Sequence, residues 1–219
     1  EVYAEILPGT AKLSEVRAHA PKGLILSGGP ASVHAHGSPR PDPAVLESGL
    51  PMLGICYGMQ LLVQLHGGRV VAAKRREYGR AKVSVRGAAE LFKGLPKALD
   101  VWMSHGDGAQ RLGNGFKVLA STPSAPYAAI GDDARRMYGV QFHPEVAHTP
   151  QGARLLANFA RRVCGLKTRW NMAGFLDTAV ADVKARVGSD RVICGLSGGV
   201  DSSVAAALIH KAIGKRLHC

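Results

Sequence analysis

Cys56 stands in a glycine-flanked segment whose residue types could support nucleophilic chemistry. The segment 54–58 reads GICYG and lies between a short apolar strand and a stretch with apolar residues at helical spacing. Glycines on both sides permit a sharp strand-to-helix turn, which would place the Cys56 thiol at a sheet edge and at a helix N-terminus. That position favours a thiolate. On this segment alone, a buried structural cysteine in a tight turn is the alternative.

His143 is the candidate proton carrier for Cys56. It lies in the segment 141–146 (QFHPEV), directly after the predicted strand Met137–Gln141. Open α/β sheets build their sites at the carboxyl ends of strands, so this segment is expected to reach the same edge as Cys56. His143 can accept the thiol proton and later protonate a leaving amine, and Glu145 can hold the imidazole in the useful tautomer. An isolated histidine is more often a hydrogen-bonded loop residue, but here an acid follows two positions later.

A third segment, 27–30 (SGGP), follows the predicted strand Gly23–Ser27. Its glycines allow the backbone to approach a ligand closely. A backbone N–H of Gly28 or Gly29, together with that of Tyr57, could stabilise the oxyanion formed when Cys56 attacks a carbonyl. Taken alone, the segment is also compatible with an ordinary Gly-Pro turn.

Together these motifs, in this order, resemble the class I (triad) glutamine amidotransferases, over Glu1 to about Cys164. The resemblance implies that Cys56 forms a γ-glutamyl thioester and releases ammonia, with His143 and Glu145 as its partners. Water then yields glutamate. The residues that this resemblance assigns to the oxyanion or to glutamine are Gly28, Gly29, Tyr57 and Gln60. The segment 104–107 (SHGD) resembles a loop that faces a partner domain in this family, and a surface turn is its alternative.

A second constellation, 197–203 (SGGVDSS), lies between the predicted strand Arg191–Leu196 and a helix that ends near Ile213. Glycine N–H groups and a helix N-terminus suit an anion, and the GK[ST] ending of a Walker A loop is absent. The segment resembles the pyrophosphate loop of the N-type ATP pyrophosphatases. That resemblance assigns ATP binding to Ser197, Gly198, Gly199, Val200, Asp201, Ser202 and Ser203.

The order of the two constellations resembles the GMP synthetases. This resemblance implies that XMP, ATP with Mg²⁺, and glutamine give GMP, AMP, pyrophosphate and glutamate, with no prosthetic group and with a homodimer formed through a missing C-terminal domain. That family begins earlier and continues past Cys219, so we expect this polypeptide alone to lack the full synthetase site. Two alternatives stay open: the glutaminase part of another amidotransferase, and a non-catalytic nucleotide- or RNA-binding module.

Strands alternate with helical stretches along the chain, which predicts an α/β fold with an open, mostly parallel sheet flanked by helices. The family resemblance makes this sheet flavodoxin-like. We expect an amidotransferase domain over 1–164 that lacks its N-terminal strand and helix, and a linker over 165–171. A truncated second α/β unit, of the adenine nucleotide alpha hydrolase type, is expected over 172–219. Further predicted strands are Glu1–Leu7, Arg69–Ala72, Lys82–Val85, Gly115–Ser121 and Ala128–Gly131, and a helix is predicted over Gln151–Cys164.

Composition and charge indicate which binding partners and which cellular compartment to expect. The formal net charge of +12 favours anionic partners. The basic residues are scattered without interleaved aromatics, so nucleic acid is not the expected partner. No apolar run reaches membrane-spanning length. The four cysteines form no CxxC pair, which fits a reducing, cytoplasmic setting. His34 and His36 could form a metal pair, but no acidic or thiol ligand is near them in sequence, and we expect no metal site.

Overall fold

The chain divides into two compact units. The larger is Glu5–Lys167, and the smaller contains the elements from Met172 to Cys219. The computed structural model describes residues 2–167 and 172–219, apart from the side chains of residues 73–76, 172 and 173. The larger unit ends at Lys167, which lies within the predicted linker, 165–171. Residues 168–171 of that linker lie outside the described part of the chain.

Seven strands of the larger unit form one sheet among the described residues, in the order β1-β2-β7-β6-β5-β3-β4. Pairing is parallel from β1 to β2 and from β2 to β7, and antiparallel in the other four pairs. The α/β class is confirmed, and the expectation of a mostly parallel sheet holds for the β1-β2-β7 part alone. The strands are β1 (Leu24–Leu26), β2 (Met52–Ile55), β3 (Arg69–Val85), β4 (Ala98–Arg111), β5 (Lys117–Ser121), β6 (Ala129–Asp132) and β7 (Met137–Val140).

Helices cover both faces of this sheet. The helix after Cys56 buries residues 57–63 completely, as the apolar spacing predicts. The helix predicted over Gln151–Cys164 is instead an α-helix that passes into a π-helical turn, Phe159–Val163. The α-helices of this unit are α1 (Leu13–Ala18), α2 (Pro43–Leu46), α3 (Tyr57–Leu65) and α4 (Gly152–Asn158).

Strand β2 lies at the centre of the core, and all four of its residues are buried. Successive side chains of a strand point to opposite faces. Accordingly, Leu53 packs in a cluster with Leu155 of α4, whereas Met52 packs in a second cluster with Leu62 of α3. Burial on both faces explains why β2 is a continuous apolar run rather than an alternating one.

Three strand predictions need correction. Residues 69–85 form one continuous strand, β3, rather than two short ones, because β4 pairs with it over most of its length. Strand β4 itself was not predicted, and the segment 104–107 therefore lies in a strand and not in a loop or turn. The described residues of the predicted strand Glu1–Leu7 do not form a strand.

The smaller unit has two α-helices, one 3₁₀ turn (Gly214–Arg216) and two short strands among its described residues. Strand β8 pairs in parallel with β9, and Cys194 N–H donates to the carbonyl of His218 at 2.8 Å. The segment after α6 therefore adds a second strand to this unit, as expected for the start of an α/β domain. The elements are α5 (Met172–Val187), β8 (Val192–Ile193), α6 (Val200–Ile213) and β9 (Leu217–His218).

Candidate active site

Cys56 occupies the turn between β2 and α3 in a backbone conformation that few side chains adopt, with φ 50° and ψ −104°. The flanking glycines are required by close packing. A Cβ on Gly58 would overlap the Leu26 carbonyl oxygen, and one on Gly54 would lie 2.6 Å from the Gly58 carbonyl carbon. The predicted sharp turn is therefore confirmed, and it places the thiol at the N-terminus of α3.

His143 follows β7 at the same edge of the sheet. Its backbone N–H donates to the Trp102 carbonyl at 2.9 Å, and its own carbonyl accepts from the Thr149 hydroxyl at 2.6 Å. Its ring Nδ1 lies 2.6 Å from Oε1 of Glu145. Because Glu145 occupies Nδ1, Nε2 is the ring nitrogen left for Cys56, whose proximity is felt in the pKa of the ring. The structure thus brings together the three residues that the sequence singled out.

The surroundings of His143 favour its protonated form. The hydrogen bond with Cys56 raises its pKa, burial opposes that effect, and the hydrogen bond with Glu145 adds to it, so that the pKa rises to about 9. An imidazolium held between a sulfur atom and a carboxylate can donate a proton to a leaving group.

Gly28 lies directly against this pair. A Cβ at this position would be 3.0 Å from His143 Cε1 and 3.5 Å from Cys56 Cβ. A Cβ on Gly29 would meet nothing within 4 Å, so there is open space beside it. Tyr57 begins α3, and its hydroxyl donates to the Pro39 carbonyl at 2.6 Å. Gly28 and Tyr57 therefore border Cys56, and the use of the Gly28, Gly29 or Tyr57 N–H groups as oxyanion donors stays a prediction.

Gln141 is a residue of this site that sequence reasoning passed over. It is 1% exposed, and its amide nitrogen lies 3.7 Å from the Cys56 sulfur. Gln60, predicted to bind glutamine, donates to the Asp107 carbonyl at 2.9 Å and to Gln141 Oε1 at 3.4 Å. Both amide hydrogens of Gln60 thus have partners within the protein. The only sequence signal for Gln141 is a polar residue at the end of an apolar strand.

The carbonyl of Ser104 on β4 also contacts the nucleophile, since the Cys56 thiol donates to it at 3.5 Å. The next residue, His105, is buried and paired with Glu77 of β3. A cavity of about 490 Å³ lies beside these residues, and Gln141 and His105 form part of its polar wall. Sequence reasoning found neither Glu77 nor the role of His105, because their pairing depends on the β3-β4 register.

The segment 197–203 lies in the smaller unit, before and within the first turn of α6. Gly198 has φ +79°, a conformation that favours glycine. The Ser197 and Ser202 hydroxyls lie 3.0 Å apart, and the Ser203 hydroxyl donates to the Gly199 carbonyl at 2.8 Å. Gly199 is the N-cap and provides no side-chain cap, so the first N–H groups of α6 have no side-chain acceptor there.

The residues that the structure describes contain no group of three or more potential ligands that could hold a metal ion. His34 Nε2 lies 3.0 Å from the Val70 carbonyl, so its ring is engaged by the backbone. Within the same residues, no helix is both long and apolar enough to cross a membrane.

The model of the family described as "Glutamine amidotransferase class-I" matches residues 1–163 of this chain. The chain belongs to this family. A second family, described as "NAD synthase", matches residues 172–219. The amidotransferase match covers the larger unit with Cys56, His143 and Glu145, and the second match contains the glycine-serine loop of the smaller unit.

Named relatives of this amidotransferase include bacterial GMP synthases. The glutamine-hydrolysing GMP synthase of Elusimicrobium minutum is 51% identical over 220 residues, which is all of this chain and 43% of that protein. That of Staphylococcus aureus (strain JH9) is also 51% identical, over 42% of its length. The chain thus spans less than half the length of these relatives. A solved structure from Thermoplasma acidophilum, described as one subunit of a candidate GMP synthase, is 32% identical with TM-score 0.62, covering 74% of this chain and 80% of that one.

Proposed function

We propose that the larger unit hydrolyses glutamine to glutamate and ammonia. The observation that carries this proposal is the arrangement of Cys56, His143 and Glu145, in which the imidazole lies beside the nucleophile and 2.6 Å from an acid. A cysteine on a strained turn at a helix N-terminus, next to an imidazolium, is the usual arrangement of an activated thiol. Membership of the class-I amidotransferase family supports the same reaction.

The steps follow from this geometry. The Cys56 sulfur attacks the side-chain amide carbon of glutamine, and backbone N–H groups near Gly28 and Tyr57 stabilise the oxyanion. His143 gives its proton to the departing nitrogen, which leaves as ammonia, and a thioester remains on Cys56. His143 then takes a proton from water as the water attacks the thioester carbon. Glutamate leaves, and the sulfur and imidazolium are restored.

We also infer that the smaller unit of this chain contributes to an ATP site. The segment 197–203 offers glycine backbone and uncapped helix N–H groups that suit a pyrophosphate group. The 51% identity to proteins named glutamine-hydrolysing GMP synthase supports amination of XMP with ATP, taken as its Mg²⁺ complex. Assembly as a homodimer and a cytoplasmic location belong to the same proposal.

One experiment tests the glutaminase. The chain is incubated with glutamine, and glutamate and ammonia are measured together in wild type and in Cys56→Ala. We expect equal amounts of the two products from wild type and none from Cys56→Ala. Equal glutamate release by both proteins would contradict the assignment of Cys56.

The synthetase proposal has its own test. The chain is extended with the additional segments of a GMP synthase relative, and AMP and GMP are measured from XMP and ATP, first with glutamine and then with ammonium. GMP from both nitrogen sources, with only the glutamine-dependent rate lost in Cys56→Ala, is the expected result. Glutamate release without GMP would point to another acceptor for the ammonia.

A further inference from the structure

Glu77 and His105 form a buried polar pair between β3 and β4. Their side chains are 13% and 4% exposed, and His105 Nε2 lies 3.1 Å from Glu77 Oε2. The other ring nitrogen of His105, Nδ1, lies 2.9 Å from the Asp107 carbonyl oxygen. The second carboxylate oxygen of Glu77 accepts from the hydroxyls of Thr122 and Ser124. Both oxygens of this carboxylate therefore have partners.

A continuous path of hydrogen bonds joins this pair to the nucleophile. The Asp107 carbonyl that faces His105 also accepts from Gln60, which bonds Gln141, whose amide lies 3.7 Å from the Cys56 sulfur. A second link runs through the backbone, because the carbonyl of Ser104, next to His105, lies 3.5 Å from the same sulfur. A shift of residues 104–107 would therefore move two polar groups at Cys56.

The β3-β4 ladder is interrupted where this segment must be held. Ala72 pairs with Asp107 and Glu77 pairs with His105, so four residues of β3 stand opposite the single residue Gly106 of β4. An irregularity of this kind leaves the strand locally without its backbone partner. Glu77 and His105 form the first ladder pair beyond the interruption, so their side-chain bridge reinforces the segment at the point where regular pairing resumes.

The chemistry of the bridge explains why an acid is suited to position 77. Both ring nitrogens of His105 face oxygen acceptors, the Glu77 carboxylate and the Asp107 carbonyl. The Glu77 carboxylate can accept the N–H that Nε2 carries in one tautomer, and the Asp107 carbonyl can accept the N–H that Nδ1 carries in the other. With an apolar residue at position 77, the ring would lose one partner and be free to turn away from Asp107.

We propose that Glu77 is a positioning residue for the glutamine site, acting through His105 on the segment 104–107. The proposal rests on the glutaminase function proposed above. The segment forms part of the wall beside Cys56, so its displacement weakens the binding of glutamine. The His143 ring keeps its contact with Glu145, and its backbone is held by Trp102 and Thr149, both outside the segment 104–107.

The test compares Glu77→Ala with Glu77→Gln and with Asp100→Asn as a matched control. Asp100 lies on the same hairpin in an exposed ion pair with Lys82, whose side chains are 69% and 70% exposed. Glutamine KM and kcat are measured, together with the rate at which iodoacetamide alkylates Cys56. We expect Glu77→Ala to raise KM by about tenfold with an unchanged alkylation rate. Asp100→Asn should match wild type.

Glu77→Gln should recover most of the loss, with KM within about threefold of wild type, because a glutamine amide can donate to Nε2 and leave the Nδ1 hydrogen on Asp107. Ser124→Ala, at an exposed position, removes one donor to Glu77 and should raise KM by about twofold even if Glu77→Ala does not fold. A merely structural role would lower the alkylation rate and kcat along with binding.

The outcomes separate the two proposals. Wild-type KM in both Glu77→Ala and Ser124→Ala, or a parallel loss of alkylation, would overturn the role of Glu77 and leave the glutaminase intact. Absence of glutamate release from the unchanged chain at any glutamine concentration would overturn the glutaminase, and the positioning role with it.

Discussion

Nδ1 of His143 lies 2.6 Å from Oε1 of Glu145, two residues further along the chain, and the ring lies beside Cys56. Pro144 stands between the two residues, and its fixed φ restricts the backbone that joins them. The acid can therefore orient the imidazole through a local turn without a contribution from a distant strand. The nucleophile, by contrast, comes from a separate strand-to-helix turn, and only the sheet brings it to His143.

Replacing Glu145 with glutamine should shift the pH dependence of glutamine hydrolysis. Thiolate attack and protonation of the leaving nitrogen both need His143 as imidazolium, which is the form present below its raised pKa of about 9. The alkaline limb of kcat/KM should accordingly lie near pH 9. In Glu145→Gln the carboxylate that helps raise this pKa is lost, so the limb should move to lower pH. A pH series of kcat/KM measures both.

The surface variant Glu90→Gln is the control for that shift, since Glu90 pairs with Arg162 away from the site, with both side chains about half exposed. Its pH profile should match wild type. An unmoved alkaline limb in Glu145→Gln would show that Glu145 does not influence the ring in solution.

The cysteines of the larger unit should differ in reactivity. Burial raises the pKa of Cys164 to about 11, an effect that the charge of Arg136 only partly opposes, so Cys164 remains a thiol at pH 8. Cys56 lies beside the His143 ring at the N-terminus of α3, a setting in which a cysteine is reactive. Limited iodoacetamide at pH 8 followed by peptide mass analysis should label Cys56 well before Cys164. Labelling of Cys164 should rise only as the pH approaches 11, and equal labelling at pH 8 would contradict this picture.

A methyl group on Gly28 should impair hydrolysis without unfolding the chain. The added Cβ would lie 3.0 Å from His143 Cε1, closer than such atoms usually approach, and the ring must move away from Cys56. We expect kcat/KM of Gly28→Ala to fall roughly ten- to hundredfold, because small displacements in a reacting pair are costly. Steady-state kinetics and thermal unfolding are measured together. Gly9→Ala is the control, because its Cβ meets only Pro39 at an ordinary 3.4 Å.

Local patterns were sufficient to predict Cys56, His143 and Glu145, although not Gln141 or Ser104, which also contact the Cys56 sulfur. The strand β2 and the helix α3 follow from apolar runs and periodicity, and the turn between them follows from the glycines at 54 and 58. His143 and Glu145 are close in sequence, so their contact required no knowledge of the sheet. What the sequence left open for these three residues was the parallel pairing of β2 with β7, which joins the two segments.

Contacts that depend on strand register could not be predicted in this way. Strand β4 contains Gly106, Gly108 and several polar residues, so its pattern does not indicate a strand until β3 is placed beside it. The pairing of Glu77 with His105 follows directly after an irregularity in that register, so their contact cannot be found by counting along either strand. Residues 2–7 show the opposite error, since their apolar pattern indicates a strand where the described residues form none. Pairing is a tertiary property that a strand's own sequence does not determine.

Replacing Gly198 with alanine should weaken anion binding by the smaller unit and leave glutamine hydrolysis unchanged. Gly198 has φ +79°, where a Cβ costs about 1 kcal/mol, so the turn that aims the loop's N–H groups would be strained. Titration calorimetry with pyrophosphate should show Kd raised about fivefold or more in Gly198→Ala.

Gly195→Ala is the matched control, because a Cβ there meets nothing within 4 Å and no positive φ is involved. The glutamine kcat/KM of both variants should equal that of wild type, since Cys56, His143 and Glu145 all lie in the larger unit. Equal pyrophosphate affinity in all three proteins would show that segment 197–203 does not bind the anion through this turn.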